Sequence, residues 1–494
     1  MGNPGTGVWA GVGGFGATAV TTPLRRVAAV QDRPPASVPL AAPAAVPRPR
    51  HIPIAPAQER IWAAARVGRS GDWNVARAWR IRGGEVNPAA LASAVADVVA
   101  RHAPLRTRYR LTEHGPAQVV AEPGGARADI AVAAITEDEL AARVRECARA
   151  ELDLVHELPL RARVFVLGER DVVLALTIHH IAVDGRSVAP LVRDLTTAYR
   201  ARCAGRAPRF APLPVDYIDY TLWKHAQLGD YADPWSRASA QLRYWANALV
   251  GRPSPLAFPY DRPRPARPDT EGALVPVAFD AAVQRGLLER ARRARASVFM
   301  VLQAAFALCV GDFARCPDVT VATAVAGREH RVLDELVGNF ADDVLMRVRL
   351  DRCADAGELL EQVRRVALAA FAHPDTPNPR LERCLPQDAE HPLFQATLIL
   401  QRGVVHGPGR AVPAIDEIAT GVTIAKHDLE FALTELYHRD GTPAGITGSL
   451  CYPTALFDPA TATAFVRRFM ATVDLLAGGY DGGLRSLLAA ARDR

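Results

Sequence analysis

Lysine is almost missing from this chain of 494 residues. Lys224 and Lys426 are the only two, so nearly all of its 59 basic residues are arginines. They are interspersed with 53 acidic residues, no run reaches five like charges, and no row of aromatics is interleaved with them. The net charge of +6 therefore reflects compositional bias, with at most a patch for an acidic protein partner. Nucleic-acid binding, which calls for a basic stripe or a stacking platform, is not expected. Paired cysteines are missing too: Cys147, Cys203, Cys309, Cys316, Cys353, Cys384 and Cys451 stand singly, without a CxxC pair. That pattern fits neither a disulfide scaffold nor a zinc site, and suits a reduced, cytoplasmic chain. No charge-free apolar run reaches 18 residues, and the opening stretch lacks a basic segment. Neither a membrane span nor a signal peptide is expected. Gly2 and Thr6 match the short N-acylation pattern, but nothing else supports an anchor. P-loop and dinucleotide fingerprints are absent as well.

What the chain has is apolar mass, at 49% hydrophobic, in a length beyond what one core usually supports. Two α/β halves are expected. Residues 1–50 form a Gly/Ala/Pro-rich stretch expected to be a disordered leader. A first unit then spans 51–249, a proline-dense linker or crossover spans 250–270, and a second unit spans 271–494. In the first unit, Asn87 and Pro88 open a helix by N-cap and first-turn chemistry. Thr136 and Glu139 have capping-box spacing ahead of another. ARVFVL and VVLALTI around the turn GERD read as a hairpin, and a helix begins near Ser187. In the second unit, SVFMVLQAAFALCVGDF reads as a strongly apolar helix, VTVATAVA as a buried strand and GELLEQVRRVALAAFA as a helix. FQATLIL, DLEFALTEL and GITGSLCY read as strands before a closing helix. A site in the cleft between the halves is expected.

The candidate chemistry lies in LTIHHIAVDG, residues 176–185. Adjacent strand residues face opposite ways, so His179 and His180 cannot readily ligate one metal together. The alternation instead sends one imidazole into the packing and presents the other to the cleft. There it can take a proton from an amine or alcohol, or hold it in line. Asp184, buried before Gly185, needs an arginine partner. On spacing alone, ordinary packing of both histidines remains an alternative.

HHIAVDG resembles the HHxxxDG signature of the condensation domains of nonribosomal peptide synthetases and their wider acyltransferase superfamily. Further motifs follow in the family's order. APAQERIW (55–62) resembles SxAQxRLW, RHAPLRTRY (101–109) resembles RHExLRTxF, and YIDYTLW (217–223) resembles YxDYAxW. VGNFADDVLMR (337–347) is similar to IGxFVNTxxxR, but Ala341, Asp342 and Asp343 replace Val-Asn-Thr. HPDTPNPRL (373–381) and HPLFQATLILQ (391–401) resemble two later motifs. The resemblance implies an α/β (α+β) fold of two chloramphenicol-acetyltransferase-like subdomains in a V-shaped pseudo-dimer with a central tunnel. It implies amide formation between a donor acyl or peptidyl thioester and an acceptor aminoacyl thioester. Both would arrive on the 4'-phosphopantetheine arms of peptidyl carrier proteins, with no intrinsic cofactor or metal, and the domain is expected to be monomeric. By the resemblance His180 is the catalytic histidine, and the Gly185 N–H lies near the chemistry. His179, Asp184 and its partner Arg328 are structural at the site, while Arg186, Ser187, Asn339, Asp342 and Asp343 are tunnel or substrate candidates. An ester-forming acyltransferase and a catalytically silent docking domain are the alternatives.

Overall fold

The computed structural model describes residues 42–83, 86–385, 393–405 and 414–493. Most of the expected leader, including Gly2 and Thr6, lies outside them. The part within is held in place: the Val46 N–H donates to Asp219 at 3.0 Å, and Arg48 pairs with Asp216 at 2.6 Å and Asp219 at 2.8 Å. Asp216 and Asp219 cap the helix Tyr217–Leu228, so the carboxylates that close its first turn also anchor the incoming chain. Packing thus begins a few residues before position 51.

Strands are numbered β1 to β14 in chain order among the described residues. The first half is built on β2 (Asn74–Arg82), β5 (Asp129–Ala134), β6 (Leu160–Gly168) and β7 (Asp171–His179). β6 and β7 form the antiparallel hairpin that the sequence predicts, and β5 runs parallel to β6. Both faces of β7 are covered. Val172, Leu174, Leu176 and Ile178 join the core under the helix Pro88–Arg101, while Val173 and Ala175 pack with Leu140 and Val144 of the helix Glu137–Ala148. An unbroken apolar strand is what two covered faces require. A small sheet of β1 (Ile52–Pro53), β3 (Thr107–Thr112) and β4 (Gly115–Val120) lies alongside.

The second half carries β8 (Gly272–Phe279), β9 (Asp318–Val325), β10 (Asp342–Arg349), β11 (Ala396–Val404), β13 (Leu429–Tyr437) and β14 (Pro443–Pro453), in the order β10-β9-β11-β13-β14-β8. The helix Val298–Ala314 is apolar on every side because it is buried on nearly every side. Phe306 packs there against Phe431, Phe465 and Phe469. The proline-dense segment 250–270 contains no helix or strand, yet it is docked. The backbone of Leu256 exchanges hydrogen bonds with the Gln395 amide, and the Tyr260 hydroxyl donates to Asp428 at 2.6 Å.

One strand departs from a division at residue 270. β12 (Ala414–Ile418) leaves the second half and pairs antiparallel with β2, becoming the edge strand of the first half's sheet, with Ile415 opposite Ile81. The two halves are therefore joined by shared backbone hydrogen bonds as well as by side chains.

Candidate active site at the junction of the halves

β7 ends at His179, and the chain then enters a tight turn over His180–Ala182. The two imidazoles part there. His179 is fully buried, and its Nδ1 accepts the Ile181 N–H at 3.2 Å. His180 turns toward the junction and meets the Trp73 ring edge-on, with centroids 6.1 Å apart. Its Nδ1 is enclosed and has no partner of hydrogen-bonding geometry. Burial first, and the Lys426 ammonium second, push both imidazoles down to about 3. Both rings are therefore neutral at physiological pH.

The loop after His180 is clamped from the other half. Asp184 Oδ1 accepts the Ser187 N–H at 2.9 Å and Arg328 Nη2 at 2.9 Å, while its Oδ2 accepts the Phe340 N–H at 3.2 Å. The side chains of Arg328 and Asp184 are 0% and 2% exposed, so the pair is sealed from water. Arg328 also donates to the carbonyls of Leu333 and Leu336 and lies 3.9 Å over the Phe340 ring. These partners occupy both terminal nitrogens of a buried charge that would otherwise be costly, while Nε is enclosed without one. Gly327 makes the approach possible. It has φ +64°, and a Cβ there would fall 1.9 Å from the Phe340 carbonyl oxygen.

The residues singled out from the sequence come together around this clamp in different roles. Gly185 is exposed, its N–H takes no partner within the described chain, and the Gln401 amide is its neighbour. Arg186 is exposed beside it. Ser187 and Asn339, expected as tunnel or substrate candidates, are sealed instead, with no exposed surface. Ser187 Oγ accepts the Gly338 N–H at 3.1 Å and lies 2.8 Å from Asp184 Oδ1; the Asn339 amide donates to the Ala57 carbonyl at 3.1 Å. They are struts between the halves: Ser187 bonds Gly338 of the second half, and Asn339 bonds Ala57 of the first. Asp343, on β10, pairs with Arg60 at 2.6 Å. Burial pushes the neighbouring Asp342 carboxyl up to about 8, with the charge of Asp343 adding to the shift and Arg60 opposing it.

Four residues that sequence reasoning passed over complete the site: Trp73, Arg60, Lys426 and His427. The Trp73 ring carries Arg60 Cζ 4.8 Å and Lys426 Nζ 4.5 Å from its centroid, and His180 meets its edge. His427 stacks at a tilt on Phe394, and burial holds its imidazole well below the usual range. Lysine scarcity was the only sequence signal pointing to Lys426. Among the described residues no group of three or more His, Cys, Asp or Glu is placed to hold a metal ion. No single described helix is long and apolar enough to cross a membrane.

The sequence model of one family, described as "Condensation domain", matches residues 49–490. A probable non-canonical nonribosomal peptide synthetase of Salinispora arenicola, CymA, is 38% identical over 464 residues, 91% of this chain and 6% of the relative. The isonitrile lipopeptide synthase of Mycobacterium tuberculosis is 40% identical over 437 residues, 86% of this chain and 17% of the relative. The chain thus spans less than a fifth of either. Among solved structures, the X-domain from teicoplanin biosynthesis, in its complex with OxyB, superposes with a TM-score of 0.81. It is 31% identical, over 90% of this chain and 98% of that one. The first condensation domain of the calcium-dependent antibiotic synthetase, with a substrate analogue, shares the fold at a TM-score of 0.67 and 19% identity. The match covers 88% of this chain and 98% of that one.

Proposed function

We propose, on the premise that this chain belongs to the condensation-domain family, that it joins a donor acyl or peptidyl thioester to the amine of an acceptor aminoacyl thioester. The single observation that carries this reading is the placement of His180, turned to the junction beside Trp73 on a loop that Asp184 and Arg328 clamp. Donor and acceptor peptidyl carrier proteins bring the thioesters on phosphopantetheine, one to each side of His180, within a longer cytoplasmic synthetase. The units 51–249 and 271–494 act as the two acyltransferase-like subdomains, with 250–270 as the crossover between them.

The amine nitrogen attacks the donor carbonyl, and the C–N bond forms as the carbonyl oxygen gathers charge. The Gly185 N–H, unpaired at the start of the turn leading into the helix Val188–Cys203, is set to receive that oxyanion. Collapse of the intermediate breaks the C–S bond. The donor arm leaves as a thiol, and the proton lost by the amine ends on sulfur. An imidazole held near 3 is a weak proton sink, so His180 first acts as a hydrogen-bond acceptor that aligns the neutral amine. It takes the proton only as the attacked nitrogen becomes acidic. Alignment of two tethered reactants supplies much of the acceleration.

Single-turnover mass spectrometry with a donor-loaded carrier and aminoacyl-pantetheine acceptors tests this. Wild type is expected to give the amide, and His180→Ala to slow it by about 10²–10⁴-fold. An ester formed from a simple alcohol, with no amide, moves the chain to the ester-forming branch of the superfamily. A second reading, a docking platform, is favoured by the likeness to the X-domain solved with OxyB. Folded protein that binds a carrier and makes neither product supports it.

A further inference from the structure

Trp73 supports two cations beside His180, and they are not equivalent. Arg60 is neutralised by Asp343 at 2.6 Å. Lys426 Nζ, 4.5 Å from the same ring's centroid, has no hydrogen-bond acceptor and no ion-pair partner among the described residues. Of the carboxylates whose charges act on it, Asp72 and Asp343 are engaged elsewhere, and Glu430, whose charge acts on it most strongly, neither bonds nor ion-pairs with it among the described residues. Asp72 bonds Arg69 at 2.8 Å and the Thr270 hydroxyl at 2.7 Å, and Asp343 holds Arg60, whereas Glu430 faces only the neutral His427, at 3.9 Å. Lys426 is only partly exposed, and burial lowers its pKa against the opposing charges of Glu430, Asp343 and Asp72.

We propose that the Lys426 ammonium, braced on Trp73, is the receptor for an anionic group carried by a substrate next to its reacting centre. This rests on the amide-forming reading above. In a carrier-bound thioester the α-carboxyl is already consumed, so the anion is a side-chain or distal carboxylate, as in aspartyl or glutamyl thioesters and dicarboxylic acyl groups. The phosphate of the carrier arm is excluded, because it sits a full arm's length from the thioester while Lys426 shares its aromatic support with His180. A carboxylate docked there is charge-assisted and part-desolvated. The isosteric amide leaves the ammonium unpaired. The site therefore selects charge rather than shape.

The test compares aspartyl with asparaginyl, and glutamyl with glutaminyl, pantetheine thioesters, each in the donor and in the acceptor position. With the full chain, kcat/KM is expected to favour the acid over its amide by about tenfold or more on one side. The ratio falls to near one in Lys426→Met and is largely kept in Lys426→Arg. Equal use of acid and amide by wild type on both sides, or a ratio that Lys426→Met leaves unchanged, overturns the proposal. Calorimetric binding of non-hydrolysable thioether analogues of the same pairs gives a second readout that needs no turnover. If no substrate yields amide but the acid analogue still binds more tightly through Lys426, the amide-forming reading fails while the anion site stands. If the analogues bind alike, the anion site fails.

Discussion

At the scale of single residues, the site is governed by what burial does to charge. His180 and His179 are held to about 3 when folded against 6.5 in the open chain. Below pH 6.5 the unfolded chain therefore binds protons that the folded one refuses. Their contribution to stability is complete above that value and is lost as pH falls toward 3. Asp342 works the other way. Its carboxyl is raised from 3.8 to about 8, so its contribution is complete below pH 4 and is lost as pH rises through 8. Asp342→Asn is expected to be more stable than wild type at pH 8.5 by about 1–3 kcal/mol, and to show no gain at pH 4. Urea unfolding at the two pH values measures it. A neutral His180 also implies that the rate of amide formation, corrected for titration of the acceptor amine, stays flat from pH 8 down to 5. A fall centred near 6.5 contradicts the buried, cation-flanked ring.

At the scale of elements, the loop 180–187 is only as rigid as its clamp. Arg328→Ala leaves Asp184 charged and sealed without its cation, and is expected to cost about 3–5 kcal/mol. Removing Arg77 from its half-exposed pair with Glu417 on β12 is expected to cost under about 1 kcal/mol. Chemical denaturation separates the two. Legibility in the sequence follows the same division. The hairpin β6–β7, the capped helices and the apolar helix Val298–Ala314 were readable because period and cap chemistry are local. β2 was not readable. NVARAWRIR carries three arginines, and what keeps it a strand is tertiary: Arg80 is met by Asp171 and Glu137. β12 is five residues long and exists by pairing with β2, far away in sequence. At the site, the motif histidines and the Asp184–Arg328 pairing were legible, whereas Trp73 and Lys426 meet only through packing. Ser187 and Asn339 were misread because a polar residue beside a motif looks the same in sequence whether it faces substrate or seals a joint.

At the scale of the whole molecule, the halves are fastened at several points at once. Glu59 holds Arg380 at 2.8 Å, Asp184 holds Arg328, β12 extends the first sheet, and Lys224 lies between Asp375 and Glu329 at 2.5 Å each. One cooperative unfolding transition is expected, with coincident fluorescence and circular dichroism curves. Lys224→Met strips the cation from carboxylates on the far half and is expected to lower stability by about 3 kcal/mol. The two lysines also make the protein unusually simple to label. Every other strong side-chain base is a guanidinium, so reductive methylation with isotopic formaldehyde meets only two ε-amines, both inside the seam. Lys426, partly exposed and with its pKa lowered by burial, is methylated first. Lys224, locked between carboxylates, waits for the halves to part. Two methyl resonances, free of any background from surface lysines, would report separately on the occupancy of the site and on the opening of the joint.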